Sequence, residues 1–268
     1  MLRKSSRTAC GLATVLLAVL MVGCGSTAKD DNAAGSAERL YAEAKEDLGS
    51  GSYERAIKSL ERIEGRAAGT LLAQQAQLDL AYAYWKTGER AQAITTLDRF
   101  IKLHPSSPAF DYALYLRGVV NFNDNLGIFG SLAGQDLAER DQQASRDSYQ
   151  SFRQLVDQFP LSKYTPDAKL RMDYIVNALA AHEVHVARYY FRRGAFVAAA
   201  NRAQQSLSEY PQSPATEEAL YLMVASYDRL GLTTLRDDAE RVLKQNFPSS
   251  RFLTDGALQS VKPWWQLW

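Results

Sequence analysis

The feature of this sequence that most constrains its fold is a four-residue helix stop that occurs four times. Each copy is a ring-bearing residue followed by proline, any residue and serine, and the copies begin at His104, Phe159, Tyr210 and Phe247. Proline ends a helix because it lacks an N–H donor and clashes with the preceding turn, and serine suits the cap of the next helix. The pattern predicts a succession of helices joined by one recurring type of connection.

The segment 74–108 shows the repeating unit most clearly. It carries small residues where two helices can cross closely and a glycine at the turn between them. In chain order the markers are Leu80, Ala81, Tyr84, Gly88, Ala93, Leu97 and Pro105. This pattern is the signature of a tetratricopeptide repeat, a helical hairpin of about 34 residues. One hairpin cannot bury its own apolar face, so the pattern predicts neighbouring repeats.

Two intervals between stops are longer than one repeat, since successive stop prolines are 55, 51 and 37 residues apart. The first surplus lies between helices predicted at 111–122 and about 141–159, where Gly127, Gly130 and Gly134 indicate an irregular loop. Loops of this length in a compact fold are often functional. The second surplus lies between Pro166 and Arg193, and its helical spacing predicts one long helix or two nearly continuous ones.

The predicted fold is therefore all-α: a tetratricopeptide-like solenoid of about five helical hairpins with a long insertion in repeat three. Repeats one to three occupy residues 37–165, and repeats four and five occupy residues 166–250. The tail, residues 251–268, contains Trp264, Trp265 and Trp268. These rings either cap the exposed end of the solenoid or contact a partner.

The N-terminus predicts export and lipid attachment. Arg3, Lys4 and Arg7 precede an apolar run at residues 11–22 that is too short to span a bilayer. Residues 21–24, Met-Val-Gly-Cys, resemble the cleavage site of a bacterial lipoprotein signal, in which residues 1–23 are removed and Cys24 receives a diacylglycerol. A plain secretory signal is the alternative. By the sorting rules of lipoproteins, Gly25 in place of aspartate favours the outer membrane.

Between the anchor and the first repeat, residues 24–36 comprise the acylated cysteine and a predicted flexible tether. Nothing in this stretch beyond the cysteine is apolar and larger than alanine. Twelve such residues would span roughly 20 Å as a coil. The folded part is therefore expected close to the membrane.

Charge and cysteine content exclude several classes of protein. Lysine and arginine number 31 and aspartate and glutamate 30, so no charge excess indicates a nucleic-acid partner. Without residues 1–23, 28 basic residues face 30 acidic ones. Cys10 leaves with the signal and Cys24 would be acylated, so no thiol remains for a disulfide, a metal site or a nucleophile.

The sequence predicts no catalytic residue, no metal site and no cofactor other than the covalent lipid at Cys24. It contains neither a glycine-rich phosphate loop nor a G-x-S-x-G elbow. His182 and His185 lie three residues apart on a predicted helix, which is not the spacing of the H-E-x-x-H zinc motif. We therefore expect a binding protein rather than an enzyme.

The first helix of each repeat lines the inner wall of such a solenoid, and its wall positions in repeats one to three are rich in aromatic residues. The candidates for a peptide groove are Tyr41, Tyr82, Trp85, Tyr112, Tyr115 and Phe122. Aromatic walls offer apolar pockets, and their hydroxyls can pair with the backbone of an extended peptide. The alternative is that some of these rings belong to the hairpin core.

With the lipoprotein signal, the five repeats and the insertion in place, the chain resembles the BamD family, also called ComL. Three segments carry the resemblance: residues 122–141 with Arg140-Asp141, the stop at residues 159–164, and Val-Ala-Arg-Tyr-Tyr at 186–190 leading to Arg193. The resemblance covers essentially the whole mature chain. The repeats alone would be weak grounds, because they occur in many scaffolds.

The resemblance implies a non-enzymatic subunit of the β-barrel assembly machine, on the periplasmic face of the outer membrane. It implies three kinds of partner: the POTRA domains of the barrel-forming component BamA, smaller accessory lipoproteins, and the C-terminal signal of unfolded outer-membrane proteins, a short strand ending in an aromatic residue. In the matched segment 193–202, Arg193 and Arg202 are the candidates for contact with acidic groups of BamA.

Two other functions remain compatible with the residues. A pilotin-type lipoprotein that escorts one secretin would have the same architecture. A peptidoglycan-associated enzyme or enzyme regulator belongs to a different class.

Overall fold

The computed structural model describes residues 31–122 and 142–254, and within these ranges every regular element is a helix. In chain order the helices are α1 (Asp31–Gly49), α2 (Tyr53–Arg66), α3 (Leu71–Lys86), α4 (Arg90–Leu103), α5 (Phe110–Asn121), α6 (Gln142–Gln158), α7 (Thr165–Arg192), α8 (Phe196–Glu209), α9 (Thr216–Arg229), α10 (Thr233–Asn246) and α11 (Arg251–Thr254). The first ten pair into five antiparallel hairpins, each packed on the next. The predicted all-α solenoid of five repeats is confirmed.

The tight turns within hairpins depend on glycine. Gly88 between α3 and α4 has a φ of +83°, and Gly194 between α7 and α8 has a φ of +77°. This left-handed backbone conformation is strained for residues with a Cβ. The turn glycines of the sequence therefore mark the ends of α3 and α7 correctly.

The helix stops end α4, α6, α8 and α10 as predicted, but their serines have a different role from the predicted helix cap. The Ser162 hydroxyl accepts a hydrogen bond of 3.2 Å from the backbone N–H of Tyr164, and Ser107 and Ser213 accept the equivalent bond two residues on. Tyr164 itself occupies the N-cap position of α7 and makes no side-chain cap. Serine thus stabilises the turn before the helix, because its hydroxyl accepts a hydrogen bond from the N–H group two residues on.

Repeat three is held together by an unusually close approach of α5 and α6. The Ser148 hydroxyl donates a 2.8 Å hydrogen bond to the carbonyl of Gly118, and the ring of Phe152 packs where Gly118 has no side chain. The first and last residues of both helices lie within one residue of the predicted bounds, 111–122 and about 141–159. The predicted insertion, residues 123–141, lies outside the described residues.

The second surplus, between Pro166 and Arg193, belongs to one continuous helix, α7. This confirms the first of the two predicted alternatives, a single long helix. α7 has 28 residues, so it is about 42 Å long at 1.5 Å per residue. It packs against α6 and α8 and also contacts α9. Arg188 on α7 donates a 2.7 Å hydrogen bond to Glu218 on α9. The long helix therefore joins repeat three to the C-terminal repeats.

The predicted tether is too long at its C-terminal end. α1 begins at Asp31, so residues 31–36 are helical. The stretch includes Ala33 and Ala34, and alanine has the highest helix propensity. Extending an existing helix also avoids the cost of a new nucleus. The remainder of the predicted tether, with Cys24, lies outside the described residues.

The core consists of successive clusters, each shared by neighbouring helices. Leu97 and Phe100 are fully buried where α3, α4 and α5 meet, and Phe152 and Leu155 are buried among α5, α6 and α7. At the C-terminal end, the ring of Phe252 in α11 stacks on Tyr221 with centroids 4.9 Å apart. The three tail tryptophans lie outside the described residues.

Candidate functional site

A buried carboxylate lies on the inner wall between repeats one and two. Asp79 in α3 is only 8% exposed, and it accepts a 2.7 Å hydrogen bond from the Tyr41 hydroxyl in α1. Lys45, one turn after Tyr41, lies 3.4 Å from the same carboxylate oxygen. The predicted wall residue Tyr41 is therefore placed by a charged partner, since a buried carboxylate requires compensating hydrogen bonds.

The predicted pair Tyr82 and Trp85 forms a second aromatic group at the far end of α3. Their ring centroids are 5.7 Å apart, and Tyr53 of α2 packs edge-on against Tyr82 at 6.3 Å. Lys86 lies 5.2 Å from the Trp85 ring. Both predicted rings also pack against the core cluster that contains Phe100. Each of these two rings therefore packs against the core on one side and belongs to the wall on the other. Both alternatives considered for the wall residues apply to them.

The remaining tyrosines of the wall meet around a residue that the sequence analysis did not place there. Tyr164, at the start of α7, stacks on Tyr115 with centroids 4.7 Å apart and lies 5.4 Å from Tyr112. The Tyr115 hydroxyl donates a 2.8 Å hydrogen bond to Asp167, which also accepts a 2.6 Å bond from Arg171. Residues at the start of the long helix α7 therefore complete the aromatic wall of repeat three.

Phe122 lies at the end of α5, where the chain enters the insertion. Its ring contacts Phe152 at 6.5 Å and Tyr174 at 5.7 Å, and the guanidinium of Arg171 lies 4.8 Å from it. Three aromatic or cationic side chains therefore surround this predicted wall residue, and its ring forms the border of the wall rather than an open pocket.

An open cleft of about 660 Å³ lies in the middle of this wall. Its lining combines carboxylates, an amide, a cation and two aromatic rings: Gln75, Asp79, Asp111, Tyr112, Lys163 and Tyr164. The cleft is bordered by α3, α5 and the start of α7. The carboxylates of Asp79 and Asp111 can accept hydrogen bonds from N–H groups of a ligand. Lys163 can pair with an anion, and an aromatic ring can stack on Tyr164.

The wall tyrosines Tyr41, Tyr112 and Tyr115 remain neutral donors at physiological pH. Burial raises the pKa of Tyr112 above its ordinary value of 10.0, and the charge of Asp79 raises it further. Burial and the hydrogen bond to Asp79 raise the pKa of Tyr41 in the same way. Burial and the bond to Asp167 raise the pKa of Tyr115. A neutral phenol can donate to a peptide carbonyl, whereas a phenolate cannot.

Sequence reasoning missed Asp79 and Tyr164, the two residues that organise the cleft. Asp79 falls between the wall positions counted along α3, and acidic residues on a helix are usually assigned to the solvated face. Tyr164 belongs to the quoted stop segment 159–164. Counting the first turn of the next helix as part of the wall would have found it.

The two arginines predicted for partner contact have different surroundings. Arg193 follows α7 at its C-cap, is exposed and lies 5.4 Å from the ring of Tyr189. Arg202 in α8 donates a 3.0 Å hydrogen bond to Glu183 of α7, a carboxylate that is 1% exposed. Arg193 is therefore available on the surface, whereas Arg202 already compensates a buried charge.

The remaining chemistry of the described chain is sparse. Residues 31–122 and 142–254 hold no group of three or more His, Cys, Asp or Glu side chains that could bind a metal ion. Burial lowers the pKa of His182, so this ring is neutral at physiological pH. Within the same ranges, no helix combines the length and the hydropathy needed to cross a membrane.

Comparison with known proteins places the chain in a family. A family model described as "Outer membrane lipoprotein" (YfiO) matches residues 33–243. The outer membrane protein assembly factor BamD of Neisseria meningitidis serogroup A is 44% identical, with 96% of this chain and 98% of the relative covered. BamD of Haemophilus influenzae is 38% identical over 88% of this chain and 89% of that protein.

A more distant relative and a solved structure extend the comparison. BamD of Vibrio cholerae is 32% identical, with 88% of this chain and 97% of the relative covered. The crystal structure of MamA aligns with a TM-score of 0.39 at 15% identity, over 84% of this chain and 96% of that chain. The match of the family model and the identity to three BamD proteins show that this chain belongs to the BamD family of outer membrane lipoproteins.

Proposed function

We propose that this protein is a non-catalytic subunit of the machine that assembles β-barrels in the outer membrane. It is held by lipid at Cys24 on the periplasmic face of that membrane. Membership of the BamD family supports the proposal, because the curated relatives are named outer membrane protein assembly factors. The helical hairpins support it too, because such a solenoid exposes an extended surface suited to protein partners.

The observation that carries the binding role is the cleft between α3, α5 and the start of α7. We assign it to the C-terminal signal of unfolded outer-membrane proteins, an extended segment ending in an aromatic residue. Asp79, Asp111 and the Tyr112 hydroxyl line the cleft and suit the N–H and C=O groups of an extended backbone. Tyr164 offers a ring face, and Lys163 offers a cation for the terminal carboxylate.

The predicted rings Tyr82 and Trp85 contribute less directly to this role than Tyr164. Both pack against the cluster of Phe100, so replacing them with alanine would disturb the core as well as the wall. Tyr164 also packs against a core cluster, that of Phe152, but unlike Tyr82 and Trp85 it lines the cleft itself. It is therefore the better position for a test of binding.

Replacing Tyr164 with serine should weaken the binding of a synthetic peptide that ends in phenylalanine. Loss of one stacking ring is worth about 1 kcal/mol, so we expect an affinity about fivefold to tenfold lower. Tyr189→Ser is the matched control, because this ring is exposed on α7 outside the cleft. Titration calorimetry with peptides ending in phenylalanine or in alanine measures the difference. Equal affinity of both variants and the wild type would remove the cleft from the proposal.

For docking to the POTRA domains of BamA we assign the surface at the junction of α7 and α8. Arg193 is its exposed cation, and it is free to meet an acidic group of a partner. Arg202 can join such a contact only while it also compensates Glu183. Smaller lipoproteins of the complex would occupy other parts of the solenoid.

Depletion of the protein tests the assembly role in cells. We expect a broad fall in the amount of folded outer-membrane barrels, measured by heat-modifiable mobility of several porins. A pilotin would instead affect a single secretin and leave the porins unchanged. Normal levels of all porins after depletion would reject the assembly role.

A further inference from the structure

Alternate connections of the solenoid lie on the same edge, because successive helices are antiparallel. The α2–α3, α4–α5 and α6–α7 connections share one edge with the start of α1. Neighbouring connections on this edge lie next to each other. Thr70 and Leu103, at the first two, line one cleft of about 480 Å³. Ser162 of the third donates a 2.7 Å hydrogen bond from its hydroxyl to Asp111, which follows the second. These connections therefore form a continuous surface.

Three of the most exposed large apolar side chains of the described residues lie along this surface. Leu71 is 74% exposed, Leu103 is 60% exposed and Leu161 is 98% exposed. Single exposed leucines are ordinary on a protein surface. Here, however, each of three successive connections carries or adjoins one, so the apolar groups are spread along the edge.

Exposed cations accompany two of these leucines: Arg66 ends α2, five residues before Leu71, and Lys102 precedes Leu103, whereas Lys163 near Leu161 is assigned to the cleft. We call these two cations and the three leucines the leucine edge. Of the nearby carboxylates, Glu64 pairs with Arg99 and Asp157 with Arg153, and Glu61 accepts a hydrogen bond from the Tyr84 hydroxyl. The edge therefore presents apolar groups flanked by positive charge.

The route of the chain brings this edge close to the membrane. α1 begins at Asp31, seven residues after Cys24, and seven residues span at most about 25 Å when fully extended. α1 has 19 residues and its partner α2 has 14, so the start of α1 projects past the end of α2 on this side. An anchor at Cys24 would hold the leucine edge, and not the opposite edge, next to the bilayer.

We propose that the leucine edge contacts the anionic phospholipid surface of the membrane that carries the protein. The inference rests on the lipid anchor of the proposed function. The leucines enter the boundary between headgroups and acyl chains, and the cations pair with lipid phosphates. A row of separate apolar groups suits a plane of lipid, since each side chain can insert independently. The contact orients the solenoid with its opposite edge towards the periplasm.

A spin label at position 161 tests the orientation directly. The mature acylated protein has no free thiol in its sequence, so Leu161→Cys provides a unique attachment site for a nitroxide. Leu232→Cys is the matched control, because Leu232 is also exposed but lies on the opposite edge, between α9 and α10. The protein is reconstituted in vesicles containing phosphatidylglycerol. Collisions of each label with oxygen and with a water-soluble nickel complex are then measured.

The label at position 161 should gain oxygen collisions and lose nickel collisions on membrane binding, whereas the label at 232 should not change. Arg66→Glu combined with Lys102→Glu, or vesicles of phosphatidylcholine alone, should reverse part of that shift. Equal nickel collisions at both positions in protein that floats with the vesicles would reject the inference and leave the anchor standing. Protein that does not float would reject the anchor and the inference together. Protection of position 161 only after another protein is added would assign the edge to that protein instead.

Discussion

Arg202→Ala is expected to lower the free energy of unfolding by about 3 kcal/mol, at the lower end of the range for breaking a buried ion pair. Glu183 is 1% exposed, and its carboxylate accepts a 3.0 Å hydrogen bond from Arg202. Removing the guanidinium leaves a charge inside the protein without that partner. The Arg202 side chain is itself 42% exposed, so solvent screens the pair and the larger losses of this range do not apply. Urea denaturation followed by circular dichroism measures the loss.

The control for this prediction is Arg193→Ala, which removes the other predicted partner contact from an exposed position. We expect a change within about 0.5 kcal/mol, as for most surface substitutions. The double variant Glu183→Gln with Arg202→Ala should lose less than Arg202→Ala alone, because no buried charge is left. Equal stability of Arg202→Ala and the wild type would show that the buried carboxylate does not depend on this arginine.

This prediction also determines how partner docking can be tested. A loss of BamA binding by Arg202→Ala would combine lower stability of repeats four and five with the loss of a contact. Arg193→Ala separates the two effects, because it removes an exposed cation without disturbing Glu183. Binding to POTRA domains should therefore be compared first for Arg193→Ala, at a temperature where both proteins are fully folded.

Gly118→Ala is expected to lower the free energy of unfolding by about 2–3 kcal/mol, the upper part of the range for overpacking a core. A Cβ at this position would lie 2.6 Å from Cδ1 and 2.8 Å from Cζ of Phe152. The Phe152 ring is fully buried and also contacts Tyr115 and Phe122, so it cannot simply move away. In a protein of this size the midpoint of thermal unfolding should fall by about 5–10 °C, which scanning calorimetry measures.

Two further variants identify the cause of this loss. Gly65→Ala is a control, since Gly65 lies in α2 with nothing within 4 Å of a new Cβ. It should be neutral or stabilise by a few tenths to about 1 kcal/mol, because alanine is the better helix former. Phe152→Leu should reduce the cost of Gly118→Ala in the double variant, since the smaller side chain makes room. Additive losses would mean that the clash does not involve the Phe152 ring.

The repeats of this protein could be predicted because their signals are local. A left-handed glycine such as Gly88 or a proline such as Pro105 acts on the backbone within a few residues. The 28-residue α7 was one of two predicted alternatives, because the segment after Pro166 keeps helical spacing without glycine or proline but spacing alone does not exclude a break. The start of α1 was predicted six residues too late, since a polar, alanine-containing stretch is compatible with both coil and helix.

The candidate site was only partly predictable, because its contacts join distant parts of the chain. Tyr41 and Asp79 are 38 residues apart, and Tyr115 and Asp167 are 52 residues apart. Wall positions counted along each helix identify Tyr112 and Tyr115, but the angle between successive hairpins decides which residues of other helices meet them. For this reason Tyr164 could be seen in the stop motif and not recognised as part of the wall.

The sequence by itself determined the helical class, the order and length of the hairpins and the resemblance to a family of lipoproteins. The helical class and the hairpins follow from spacing within a window of one repeat, and the resemblance follows from the segments 122–141, 159–164 and 186–190 together with the lipoprotein signal. Only the tertiary structure decided that Asp79 is buried, that Arg202 is already paired and that three leucines lie on one edge. Burial and pairing depend on the stacking of successive hairpins, and that stacking is set by the combined packing of buried side chains such as Phe100 and Leu155 between neighbouring hairpins.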